Sequence, residues 1–244
     1  MRLFYFLFLL SFSVVAQNPK LEVKITSITN EPISAKNTAY HINYQIENKT
    51  SDALSFFLLP NALIANTASS LTLYPVYKMY QNGVFEDMDG PFFEYETDEE
   101  LKYASMENNE SDEAKKLIET IQSKHLNKVI QYYKNYKEKG GTSEDYKWVY
   151  QQQKLLNNII ILKPNETRSF TIKTLWNKNR FIKNDDLEYY LDPSNKIEIE
   201  LILDLKTNLF SDQLSEEDLK KINDNPNFVR GYFVSNKFAV NFKD

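Results

Sequence analysis

The chain has 244 residues, of which 42% are hydrophobic and 14% aromatic, and it contains no cysteine. This composition supports a folded core and excludes disulfide bonds, thiolate metal sites and thiol nucleophiles. The formal net charge of −5 lacks the positive excess that nucleic-acid binding requires, so we expect no nucleic-acid partner.

Residues 1–16 are the first predicted element. A positive charge at Arg2 precedes an apolar run that ends in small and β-branched residues at Ala16. This pattern is typical of a secretory signal peptide that is cleaved before Gln17. The run is shorter than the about 20 residues that a spanning helix needs, so we expect no membrane anchor after cleavage. With no cysteine to carry a lipid, the predicted product is a soluble secreted or periplasmic protein.

Alternating apolar residues predict short strands along most of the remaining chain. Asn82-Gly83 separates two of these runs and is a strong hairpin signal, because both residues tolerate positive φ. The strands follow one another without regular helices between them, which favours a mainly β, antiparallel sandwich. The predicted strands lie at 20–26, 40–47, 54–59, 74–80, 84–85, 159–162, 170–176, 197–205, 229–234 and 237–242.

Helical patterns interrupt the strands at about 97–157. Thr97 and Glu100 form a capping box, Ser111 precedes a long amphipathic run that ends at Gly140-Gly141, and Ser143 precedes another helix. A further capped helix is predicted after Ser215. We therefore predict one β-sandwich domain over residues 17–244 that carries a helical-hairpin insertion.

Three β segments resemble exported Ig-like bacterial domains. The first runs from Tyr40 through Asn48 to the Leu54–Pro60 stretch, the second from Ile161 to Ile172, and the third from Gly231 to Phe238. The resemblance covers the β parts and leaves out the helical insertion. It implies an Ig-like sandwich, and it brings no catalytic residues to this chain. The same fold carries many different functions.

Only two histidines occur, and they do not have the spacing of metal ligands. We expect His41 to be exposed on the polar side of its strand, and His125 to be packed on the apolar face of its helix. The sequence contains no G-x-S-x-G motif and no phosphate-binding glycine loop.

An acidic segment is the one distinct chemical feature, with twelve acidic residues and one basic residue between Glu86 and Glu113. Asp87, Asp89 and Glu96 partly match the ligand spacing of a calcium loop. Phe85 stands at the first ligand position, which weakens the match. The alternative is a solvated acidic loop, and we expect no other cofactor.

Three aromatic residues, Phe92, Phe93 and Tyr95, lie inside this acidic stretch. Exposed rings at this place would contact a protein or glycan partner. The alternative is that they pack the helices onto a sheet.

The sequence favours a non-catalytic binding module that recognises a protein or glycan in the cell envelope or outside the cell. The rival is a hydrolase of glycans or peptides that acts through two carboxylates. A third interpretation is a structural component without a small ligand. A deep pocket with paired acids would favour the hydrolase, and a flat aromatic patch would favour binding.

Overall fold

The structure is a computed structural model that describes residues 19–34, 37–65, 73–86, 92–93, 97–106, 108–177 and 194–242. The predicted signal peptide at 1–16 lies outside these residues, as do Asp87, Asp89, Tyr95 and Glu96. The described strands are β1 (Leu21–Pro32), β2 (Asn37–Asn48), β3 (Leu54–Phe57), β4 (Ile64–Ala65), β5 (Val76–Gln81), β6 (Val84–Glu86), β7 (Phe92–Phe93), β8 (Ile159–Leu162), β9 (Thr167–Asn177), β10 (Ile197–Leu205), β11 (Gly231–Val234) and β12 (Phe238–Val240). The described α-helices are α1 (Asp98–Ala104), α2 (Asp112–Glu138), α3 (Tyr146–Asn157) and α4 (Glu216–Asp224).

The first sheet has four strands in the order β1-β2-β9-β7, and all its neighbours are antiparallel. Its side chains alternate as predicted: Leu21, Val23 and Ile25 are buried, while the residues between them are exposed. The register of β1 against β2 shifts between Ile25 and Ser27, which is a β-bulge.

The second sheet follows the order β11-β10-β5-β4, with β12 also paired to β10 and β6 to β5. The predicted hairpin between β5 and β6 is confirmed, because Asn82 and Gly83 take φ values of 50° and 85°. The pairing of β4 with β5 is parallel, whereas the other named pairs are antiparallel. Strands β3 and β8 form a separate antiparallel pair.

One hydrophobic core takes side chains from all three sheets. Its fully buried members include Tyr44 from β2, Phe56 from β3 and Leu201 from β10. The strands of the two larger sheets therefore turn their apolar faces toward the same interior. The described chain is mainly β with antiparallel sheets and four α-helices.

The predicted helix starts are confirmed for α1 and α2. Thr97 and Glu100 form the capping box of α1, and the Ser111 side chain accepts a hydrogen bond from the Ala114 amide at the start of α2. Helix α3 begins later than predicted, at Tyr146, because Asp145 rather than Ser143 accepts hydrogen bonds from its first amides.

The long helix α2 is much more exposed than its apolar spacing predicts. Ala114 is its only buried residue, and the other apolar residues of the predicted face are half-buried. The expectation that His125 is packed is wrong: its side chain is exposed, and its ring only contacts the edge of Tyr150. The reason is that α2 packs on the neighbouring helices α1 and α3, which cover it along a narrow strip.

A second, smaller core joins the helices to the sheets. It contains Leu155 of α3, Ile222 of α4 and Phe57 of β3, together with Leu73, Phe210, Leu214 and Phe228. Since α3 and α4 share this core, the inner end of the helical region lies beside α4. That arrangement leaves a cleft between α3 and the start of α4.

Candidate functional site

A polar cleft of about 550 Å³ lies between the α2–α3 turn, helix α3 and the start of α4. This volume falls within the range of about 300–1,000 Å³ that is usual for small-molecule sites. All of its lining residues belong to the described part of the chain: Tyr136, Lys139, Gly140, Gly141, Thr142, Gln152, Gln153, Leu156, Asn157, Ser215, Glu217, Asp218 and Lys221.

Gln152 is the most deeply buried lining residue, with a relative exposure of 2%. Its Nε2 donates a hydrogen bond of 2.9 Å to Asp218 Oδ2, which connects α3 to α4. Its Oε1 is buried and has no hydrogen-bond partner among the described residues. A buried amide oxygen without a donor costs about 1–3 kcal/mol. Oε1 has almost no accessible surface, so it lies behind the cleft wall rather than on it.

The start of α4 forms the facing wall. The Ser215 hydroxyl accepts a hydrogen bond of 3.1 Å from the Asp218 amide and donates one of 2.6 Å to Asp218 Oδ2. Ser215 is therefore the N-cap of α4, as predicted from the sequence. The two hydrogen bonds that Asp218 Oδ2 accepts, from Ser215 and Gln152, fix the carboxylate at the cleft wall.

Charges of both signs line the cleft. Lys221 Nζ lies 2.6 Å from Glu217 Oε1, one helical turn away along α4. The hydrogen bond from Lys221 lowers the pKa of the Glu217 carboxyl, and the same contact raises the pKa of Lys221. Glu217 is thus held in its ionised form, which does not suit a proton donor.

The end of helix α2 supplies an apolar part of the wall through Tyr136. The Tyr136 hydroxyl accepts a hydrogen bond of 3.1 Å from the Ser143 amide. A Cβ atom on Gly141 would lie 2.3 Å from the Tyr136 ring, so only glycine fits against it. Trp148 packs edge-on against the same ring and donates a hydrogen bond of 3.0 Å from Nε1 to the Asp212 carbonyl. These contacts fix the turn relative to the segment before α4.

The predicted aromatic site lies elsewhere. Phe92 and Phe93 form β7 at the edge of the first sheet, where they pair with Trp176 and Leu175 of β9. Tyr95 lies outside the described residues. The contact of these three residues with a partner stays a prediction.

The predicted calcium ligands Asp87, Asp89 and Glu96 also lie outside the described residues. Within the described ranges, no group of three or more His, Asp and Glu side chains is arranged to hold a metal ion. His41 is half-buried rather than exposed, because it stands on the central strand β2 between β1 and β9.

An aromatic patch occupies the outer face of the second sheet. Phe85 and Tyr232 are 40% and 55% exposed. Tyr80 of β5 is paired with Phe85 of β6 across the hairpin. However, Lys237 Nζ lies 3.4 Å from the centre of the Tyr80 ring, and the Tyr80 hydroxyl donates to Glu200. Burial and this hydrogen bond raise the pKa of Tyr80 to about 12. The central ring is thus already covered by a lysine, so we prefer the cleft as the site.

Sequence reasoning missed Gln152, although a signal was present. Gln152 lies three residues after Val149 and three before Leu155, and both of these are buried. Helical spacing therefore places Gln152 on the buried face of α3. A long polar side chain at such a position needs hydrogen-bond partners, which is the mark of a site or of a buried network.

Comparison with protein-family models, with curated proteins and with solved structures finds no match to this chain. None of the helices in the described ranges has both the length and the apolar character that crossing a membrane needs.

Proposed function

We propose that this chain is an exported, non-catalytic binding module of the cell envelope, which holds a protein or glycan partner in the cleft between α3 and α4. The proposed scaffold is an Ig-like antiparallel β-sandwich. Its support is the shared core of the two larger sheets and the resemblance of three β segments to exported Ig-like domains. Export rests on the pattern of residues 1–16.

The unpaired Oε1 of Gln152 is the observation that carries the proposal. Gln152 is 2% exposed and lines a cleft in which polar side chains converge. Such an acceptor is costly in the free protein. Because Oε1 has almost no accessible surface in the free protein, the Gln152 side chain would have to turn toward the cleft to accept a hydrogen bond from a ligand. That hydrogen bond would remove this cost.

The rival hydrolase needs one carboxyl group that stays protonated as a general acid. The cleft contains two carboxylates, Glu217 and Asp218. The pKa of Glu217 is lowered by the hydrogen bond from Lys221, and Asp218 Oδ2 is already occupied by hydrogen bonds from Ser215 and Gln152. This electrostatic arrangement suits recognition of a ligand better than proton transfer to one.

The experiment is capture of partners from a bacterial envelope extract on the immobilised protein. It compares the wild type with Gln152→Met, which keeps the side-chain length and removes the amide. Gln151→Met is the matched control, because Gln151 is the adjacent glutamine and lies outside the cleft lining. Circular dichroism melting checks that both variants fold.

We expect a reproducible partner that the wild type and Gln151→Met retain and Gln152→Met loses. Equal retention by all three proteins would contradict binding in the cleft. Turnover of a glycan or peptide library by the wild type would overturn the non-catalytic assignment.

A further inference from the structure

The middle of helix α2 carries a second apolar stripe, which is open to solvent. Leu126 and Ile130 are 58% and 40% exposed and lie one helical turn apart. Tyr133, the next residue of the stripe, stacks on the exposed ring of Tyr146 in α3. We infer that this stripe packs on the same stripe of a second copy of the chain, with the two α2 helices antiparallel.

The spacing of the stripe is that of a seam between two paired helices. Its six positions follow one another at alternating distances of four and three residues, which is the heptad spacing of helices that pack side by side. The six positions are Glu119, Ser123, Leu126, Ile130, Tyr133 and Lys137. The two aliphatic residues therefore stand at the centre of the seam, with a glutamate at one end and a lysine at the other.

The order of these charges selects the antiparallel arrangement. A two-fold axis midway between Leu126 and Ile130 packs each of these residues on the other one of the partner. The same axis sets Glu119 against the partner's Lys137, because both pairs share one midpoint along α2. A parallel arrangement would instead set like charges against each other at both ends. Since every contact occurs twice across the axis, two ion pairs flank four aliphatic side chains.

Both charged residues are available for this contact. Glu119 is exposed, and it forms no ion pair with a residue of the described ranges. Lys137 contacts Glu144 of its own chain, whose side chain is 80% exposed. A lysine ammonium carries three N–H donors, so Lys137 can hold a second carboxylate as well.

The small apolar centre predicts a weak dimer. An interface of this kind falls at the low end of the size range, below about 1,200 Å² in total. We therefore expect the dimer to dissociate at low micromolar concentrations, where unfolding is measured on single chains.

The test is sedimentation velocity of the purified protein over about 5 to 500 µM, the range in which small interfaces associate. We expect a monomer that converts to a dimer as the concentration rises. Leu126→Gln should raise the dissociation constant about tenfold or more, because two leucines leave the seam at once. Leu209→Gln is the matched control, since it makes the same change at a 42% exposed leucine outside α2 and should leave the dimer intact. Circular dichroism melting checks that the variants fold.

A second pair of variants tests the direction of the helices. Glu119→Lys sets a lysine against the partner's Lys137, so we expect about tenfold weaker association at low salt. Glu138→Lys makes the same change at an exposed α2 residue outside the stripe and should have little effect. A wild type that stays monomeric over the whole range would overturn the inference, and so would a dimer that Leu126→Gln leaves intact. A dimer that Leu126→Gln weakens and Glu119→Lys does not would rule out the antiparallel register.

Discussion

Asn48 is a fully buried polar residue at the end of β2, and its side chain organises the neighbouring turn. Its Nδ2 donates to the carbonyls of Asp52 and Lys163 at 2.7 and 2.9 Å. Its Oδ1 accepts from the amide and the hydroxyl of Thr50. The sequence Asn48-Lys49-Thr50 also matches a glycosylation sequon, but the buried side chain leaves no room for a glycan.

Replacing this amide should destabilise the protein strongly. The variant Asn48→Asp keeps the shape but replaces the Nδ2 donor by a carboxylate oxygen that faces carbonyl oxygens, so we expect a loss of about 3 kcal/mol or more in the free energy of unfolding. Urea denaturation measures the loss. The control is Asn127→Asp, the same change at an exposed position of α2, with an expected effect within about 0.5 kcal/mol. Equal effects of the two changes would contradict this role of Asn48.

Glu166 gives the protein a pH-dependent contribution to stability. Its carboxylate accepts hydrogen bonds from the Lys163 amide at 2.7 Å and from Arg168 at 2.6 Å, and these lower its pKa below 4.5. A lowered folded-state pKa stabilises the folded protein above the unfolded-state value, and this contribution disappears as the pH falls through the folded-state value.

We therefore expect Glu166→Gln to reduce the free energy of unfolding at about pH 7 and to have much less effect at about pH 3. Denaturant titration at the two pH values measures the difference. Glu119→Gln, an exposed residue of α2, controls for simple loss of a charge. A deficit of Glu166→Gln that is the same at both pH values would refute the assignment.

At the scale of elements, the contact between α2 and α3 is mainly aromatic. The closest pair stacks with ring centres 3.9 Å apart. The ring pairs are Tyr133–Tyr146, Tyr132–Tyr150, Tyr136–Trp148 and His125–Tyr150. Because α2 has little buried surface of its own, these rings, the turn that joins the two helices and the packing on α1 set its position.

The two glycines of this turn serve different purposes. Gly140 has φ of +86° and open space around it, whereas Gly141 lies directly against the Tyr136 ring. Asparagine tolerates positive φ, so Gly140→Asn should cost under about 1 kcal/mol. Gly141→Ala should cost about 1–3 kcal/mol, because Tyr136 must move. Thermal melting compares them, and a Gly141→Ala protein as stable as the wild type would show that the ring is free to shift.

At the scale of the whole molecule, the Asn236 side chain joins the two larger sheets. Between β11 and β12 it accepts a hydrogen bond of 2.8 Å from the Ile25 amide and donates one of 3.3 Å to the Ile25 carbonyl. Ile25 precedes the bulge in β1, the edge strand of the first sheet. Asn236 thus occupies part of an edge that would otherwise be open to pairing with another chain.

We expect Asn236→Ala to lower the free energy of unfolding by about 1–2 kcal/mol, through loss of two hydrogen bonds to the backbone. Asn236→Asp keeps the acceptor for the Ile25 amide but places a carboxylate oxygen against the Ile25 carbonyl, so we expect it to be no more stable than the alanine variant. Denaturant unfolding orders the three proteins. An alanine variant with wild-type stability would mean that the two sheets need no such link.

The sequence by itself determined the local elements. Period-two alternation located β1, β2 and β10, and the N-cap residues Thr97, Ser111 and Ser215 located three helix starts. These signals work because side-chain direction and capping depend on residues a few positions apart. The exposure of α2 and of His125 was not predictable, since it depends on which surface the other elements leave for the helix.

Only the tertiary structure decided which polar side chains meet at the cleft. Gln152 and Asp218 are distant in sequence and meet because α3 and α4 share a core. The sequence singled out Phe92, Phe93 and the acidic segment, because unusual composition is visible along the chain. A buried amide oxygen that receives no hydrogen bond from the described residues is instead a property of packing between two helices, and no pattern along a single segment records it.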